Sequence, residues 1–67
     1  MDITLNNRPE SIDKDQISIS ELLILKNYTF KMLVIKVNGK LIKKDAYNNS
    51  IVKDGDNVMV LHLVSGG

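Results

Sequence analysis

Residues 57–64 read NVMVLHLV, the longest β-forming run in the chain and apolar on both of its alternating faces. A strand with two apolar faces belongs in the middle of a sheet, with a neighbour along each edge. Asp54-Gly55-Asp56 leads into it, a tight-turn sequence. Its two aspartates read as turn residues that bond local backbone N–H groups, not as a metal site. The rest of the chain must supply the flanking strands and the element that covers them.

Met1 to Leu5 alternates, with Met1, Ile3 and Leu5 on one side and Asp2 and Thr4 on the other, which predicts a half-buried strand. Asn6-Asn7 suits a hairpin turn, because asparagine tolerates the left-handed backbone such turns need. The return strand is expected at Glu10 to Asp13, on a sheet edge, because Pro9 at its start cannot donate to a ladder. Ser18-Ile19-Ser20-Glu21 has the form of a capping box opening a helix. Ile19, Leu22 and Leu23 then share one helical face, and the helix is expected to end near Lys26-Asn27, where a cation suits the carbonyl end.

A second strand is expected from Met32 to Asn38, with Leu33, Ile35 and Val37 alternating with Val34 and Lys36. Asn38-Gly39 signals a hairpin, and Leu41-Ile42 returns along an edge that Lys40, Lys43 and Lys44 guard against stray pairing. Asp45 to Lys53 reads as irregular, with Tyr47, Ile51 and Val52 as anchors onto the core. A right-handed crossover through the helix sets the first and third strands parallel. Inserting the last strand between them leaves the proline-bearing and lysine-bearing strands at the two edges. The fold class is therefore α+β, a mixed five-stranded sheet with one main helix on one face, which is the ubiquitin-like β-grasp. It forms a single domain over 1–67 with a flexible tail at 65–67. Val58 and Val60 are expected in the core, which puts Met59, Leu61 and Leu63 on the opposite, uncovered face.

Composition removes several function classes. The 67 residues include no cysteine and one histidine, His62, so disulfides, cysteine-based metal sites and histidine clusters are excluded. A lone histidine with only Ser65 nearby reads as structural or solvent-facing, and no catalytic site is expected within the chain. A net charge of +1, with Tyr28, Phe30 and Tyr47 scattered, argues against a nucleic-acid surface. No apolar run approaches the roughly 18 residues of a membrane span, and the N-terminus lacks the pattern of a signal peptide. The absence of cysteine fits a reducing compartment, so the expected location is the cytoplasm.

The chain closes on Gly66-Gly67. Glycine has no side chain to pack and the largest backbone entropy of any residue, so these positions offer a core nothing. Either they are an accidental frayed end, or the backbone and its terminal carboxylate are what matter. A β-grasp of this length, with Asn38-Gly39, then Asp54-Gly55-Asp56, then a β run ending in Gly66-Gly67, resembles the ThiS family, the sulfur carriers of thiamine biosynthesis. Many of its members have Pro-Arg and a tryptophan where this chain has Lys43-Lys44 and Tyr47. Counting back from the shared Gly-Gly sets Val58 and Val60 where ubiquitin has buried leucines.

The resemblance implies a co-substrate, not an enzyme. In that family a ThiF-like adenylating enzyme uses ATP and Mg²⁺ to activate the C-terminal carboxylate, here that of Gly67 behind Gly66. Sulfur from a persulfide sulfur donor is then installed as a thiocarboxylate, which a ThiG-like thiazole synthase consumes. The carrier binds no cofactor or metal of its own and is expected to be a monomer when free. Met59, Leu61 and Leu63 are the expected partner-docking residues, because large apolar side chains on an open sheet mark interaction sites. The MoaD-like carriers of molybdopterin synthesis share fold and tail, and so does a ubiquitin-like modifier; these remain the alternatives.

Overall fold

Two asparagine-led turns set the sheet. β1 (Asp2–Leu5) and β2 (Arg8–Ser11) are joined through Asn6 and Asn7, at φ 52° and 64°. β4 (Leu33–Val37) and β5 (Lys40–Ile42) are joined through Asn38 and Gly39, at φ 52° and 82°. Two successive left-handed residues give the turn whose twist matches that of flanking strands. Between the hairpins lie β3 (Gln16–Ser18) and helix α1 (Ile19–Leu25). A 3₁₀ turn (Lys44–Ala46), β6 (Ile51–Lys53) and β7 (Asn57–His62) follow. The computed structural model describes residues 1–28 and 32–63; Phe30, Val64 and the expected tail with Gly66 and Gly67 lie outside the described residues.

The sheet order is β2-β1-β7-β4-β5, with β7 parallel to β1 and antiparallel to β4. The expected mixed five-stranded arrangement is present, with the proline and lysine strands at the edges. β2 starts two residues earlier than expected. The two-residue turn pairs Leu5 with Arg8 and therefore Thr4 with Pro9. Hydrogen-bonded and non-hydrogen-bonded pairs alternate along an antiparallel ladder, so Pro9 falls where its missing N–H is not needed.

The capping box forms as read: Ser18 Oγ accepts from the Glu21 N–H and Glu21 Oε1 accepts from the Ser18 N–H, both at 3.1 Å. The helix ends where expected but for another reason. Asn27 takes φ 57°, its N–H reaches the Ile24 carbonyl at 3.0 Å, and the Tyr28 N–H reaches the Leu23 carbonyl at 2.8 Å. This paired closure is the Schellman arrangement. The Lys26 ammonium is directed instead to Glu10 on β2, at 2.9 Å.

The segment 45–53 is more ordered than its sequence suggested. β6 pairs with β3 as a separate two-stranded sheet. The Ile19 N–H bonds the Ser50 carbonyl and the Ser20 N–H bonds the Tyr47 carbonyl, which ties the segment to the start of α1. Val52 is fully buried with Ile19 and Leu22 against Ile3, Leu5, Ile35, Val58 and Val60. Among the described residues the buried apolar core is wholly aliphatic, ten side chains that include Ile12 and Ile17.

Candidate functional site

β7 carries the candidate site because its alternation divides it cleanly. Val58 and Val60 turn into the core, at 0% and 7% exposure. Met59 and Leu61 therefore turn to the opposite face, Met59 half-buried and Leu61 44% exposed. Leu63, just past the strand, is 46% exposed, and its N–H still bonds the Met32 carbonyl at 3.0 Å. Of the expected docking residues, Met59 and Leu61 thus share the open face of β7, and Leu63 is exposed just beyond the strand.

Register brings two further apolar side chains to this face. Met59 sits opposite Lys36, Lys36 opposite Leu41, and Leu61 opposite Val34. Directly opposed side chains on one face stand about 5 Å apart, so Met59, Leu61, Val34 and Leu41 share a surface with Lys36 among them. Leu41 is 54% exposed. Sequence reading placed Val34 and Leu41 on strands but not on this surface. The signal was the alternation of Val34 with Ile35, usable only once the pairing of β4 with β7 is known.

β7 is pinned at three points along its length. At its start, the Asn57 N–H bonds Asn38 Oδ1 at 2.9 Å, and Asn38 Nδ2 bonds Asp56 Oδ1 at 3.1 Å. At its middle, the Val60 N–H bonds Asn6 Oδ1 at 2.7 Å, just beyond the end of β1. At its far end is the bond from Leu63 to Met32. The preceding turn is anchored as well. Gly55, at φ 86°, donates to the Asp2 carbonyl, and Asp54 Oδ1 accepts from the Asp2 N–H at 2.7 Å. Only Asp56 makes the local bond expected of a turn residue, to the Lys53 N–H at 2.9 Å. Asp54 instead reaches across the chain to β1.

His62 is exposed at the end of β7. No three His, Cys, Asp or Glu side chains gather as a metal site among the described residues. No helix among them is long and apolar enough to cross a membrane. Among the described residues, two ionisable groups depart from ordinary behaviour, both for structural reasons. The hydrogen bonds from Ser18, backbone first and then side chain, hold Glu21 below the usual carboxylate range. The hydrogen bond to Glu10 raises Lys26.

Residues 3–67 match the ThiS family. The chain is similar to the crystal structure of a thiamine biosynthesis protein (ThiS) from Geobacter metallireducens, at 32% identity and a TM-score of 0.87, with all of each chain covered. An NMR solution structure of a thiamine biosynthesis protein from the same organism gives 32% identity and a TM-score of 0.78, covering all of this chain and 88% of the other. Among curated protein sequences, none matches this chain.

Proposed function

This chain belongs to the ThiS family, and from that premise we propose that it is a sulfur carrier for thiazole formation in thiamine biosynthesis. The observation that carries the reading is that the family match runs through Gly66 and Gly67. A carboxylate is inert to nucleophiles because it is anionic and its oxygens leave poorly. Attack of the Gly67 carboxylate on the α-phosphorus of ATP, with loss of pyrophosphate, makes an acyl-adenylate. A persulfide sulfur then adds to the acyl carbon and AMP departs. The acyl disulfide so formed is cleaved by a second thiol, which leaves a thiocarboxylate on Gly67 and a disulfide on the donor. The chain has no cysteine, so every thiol in this sequence comes from a partner.

The division of labour follows from the carrier reading. The carrier contributes the reacting group and a docking face of Met59, Leu61 and Leu63. A ThiF-like enzyme brings ATP and Mg²⁺, a persulfide donor brings sulfur, and a ThiG-like thiazole synthase consumes the product. Glycines at 66 and 67 let the backbone pass through a channel that a Cβ would block. The reading places the chain in the cytoplasm as a monomer when free.

Intact-mass analysis of the protein purified from its own host tests this. The expected species has one oxygen replaced by sulfur, and deleting Gly67 abolishes sulfur transfer while thermal stability stays unchanged. A deletion variant that still supports thiamine formation, or a mass increased by a whole conjugated protein, overturns it.

A further inference from the structure

The charges of this chain are unevenly distributed. From Leu22 to Lys44 the sequence has Lys26, Lys31, Lys36, Lys40, Lys43 and Lys44 and no aspartate or glutamate, while the whole chain is only +1. The remainder is therefore net acidic. β4 and β5, which form one side of the sheet, both fall within the lysine-rich stretch.

Edge protection accounts for only part of this. It explains Lys40, which lies in the edge strand β5. It does not explain Lys36, which stands on the interior strand β4 between Met59 and Leu41. Nor does it explain Lys43 and Lys44, which follow the last residue of β5. These two line an open cleft of about 590 Å³ that takes in Val34 and Leu41 of this face together with Leu23, Tyr28 and Tyr47, which pack against the core, and no carboxylate lines it. Among the described residues, Lys36, Lys40, Lys43 and Lys44 have no carboxylate within 4.0 Å, whereas Lys26 has Glu10. Unneutralised lysines around exposed apolar side chains repel one another and are compensated only by charge from outside.

We propose that this lysine-rimmed apolar face selects a partner whose docking surface is apolar at its centre and rich in carboxylates at its rim. The inference rests on the carrier reading and deepens it: the adenylating enzyme that this chain engages is chosen by charge as well as shape. Rim charges act mainly on encounter rate and its salt dependence, and their field reaches about 30 Å at 0.01 M salt but only about 3 Å at 1 M.

The test uses the full-length chain and the ThiF-like enzyme of its own host, with binding and adenylation measured at low and high salt. Lys43→Glu with Lys44→Glu is compared with Lys14→Glu and Lys53→Glu, an equal change of net charge elsewhere. The Lys43/Lys44 pair is expected to raise KM about 10-fold at low salt, an effect that disappears at high salt, and the Lys14/Lys53 pair leaves KM near wild type. Circular dichroism checks folding, and the milder Lys43→Gln/Lys44→Gln pair, expected to be intermediate, replaces any variant that unfolds. A KM insensitive to salt and to Lys43 and Lys44, or equally sensitive to both pairs, overturns the inference and leaves the carrier reading standing. A wild-type chain that is neither bound nor adenylated overturns both.

Discussion

Asn6 Oδ1 accepts a hydrogen bond from the Val60 N–H at 2.7 Å, joining a left-handed turn residue at φ 52° to the central strand. β1 ends at Leu5, so its backbone does not reach this N–H in the way it reaches the earlier part of β7. One side chain extends the ladder by one rung. Asparagine serves both needs here, because it tolerates the left-handed backbone and carries an acceptor of the right reach.

This dual role can be separated by mutation. Asn6→Gly keeps the backbone freedom and loses the acceptor, and is expected to destabilise by about 1–3 kcal/mol, the range for an unsatisfied part-buried donor. Asn6→Asp keeps the acceptor and retains more of the stability. Urea denaturation measures both, and equal stability of Asn6→Gly and wild type contradicts the assignment.

The helix is held by one face. Leu22 is fully buried, so Leu22→Ala is expected to lose about 2–5 kcal/mol. Ile24 on the outer face is 80% exposed, and Ile24→Ala is expected to change stability by no more than about 0.5 kcal/mol. Thermal unfolding of the two variants side by side decides this, since comparable losses mean the helical phase is wrong.

The capping box predicts a pH dependence. Glu21 is held below the usual carboxylate range by bonds to Ser18. A lowered carboxylate contributes stability that is complete above its unfolded pKa and is lost as pH falls through the folded value. Glu21→Gln keeps a capping acceptor without the charge, so its Tm is expected to fall less steeply between neutral and acid pH. Ser18→Ala removes the cap and is expected to cost about 1 kcal/mol at neutral pH. Parallel acid limbs for wild type and Glu21→Gln refute this assignment.

Leu61 separates docking from folding. The side chain is 44% exposed on the open face, so Leu61→Asp leaves its carboxylate in water and is expected to change stability by only about 1 kcal/mol. Adenylation by the partner is expected to weaken markedly. A variant that unfolds, or one that is adenylated normally, shows that the face has another role.

Much of the sheet was legible because its edges are marked chemically. Pro9 suits an edge strand because it cannot donate to a second neighbour, the cluster of Lys40, Lys43 and Lys44 marks the other edge, and a strand apolar on both faces belongs between others. The small β3–β6 sheet was not legible, because three-residue strands such as Ile51–Lys53 are too short to show a period. The destination of the Lys26 ammonium and the reach of Asp54 to Asp2 depend on contacts between distant parts of the chain, which local pattern does not encode. Val34 and Leu41 joined the candidate site for a similar reason. Each was visible as a strand residue, but the face it shares with Leu61 follows from register alone. Gly66 and Gly67 stood out by sequence and lie outside the described residues.

The parallel pairing of β1 with β7, Thr4 beside Asn57 and Leu5 beside Val58, has a mechanical consequence. Force applied at Met1 and at Leu63 pulls these neighbouring strands in opposite directions along their own axes. Their bonds are then loaded together in shear, whereas force across the β4–β5 hairpin opens its ladder one rung at a time. Single-molecule pulling should find the first geometry the stronger, and equal forces would exclude it. Tension between Met1 and the end of β7 is therefore borne by several bonds at once, and the fold stays closed under loads that would unzip a hairpin.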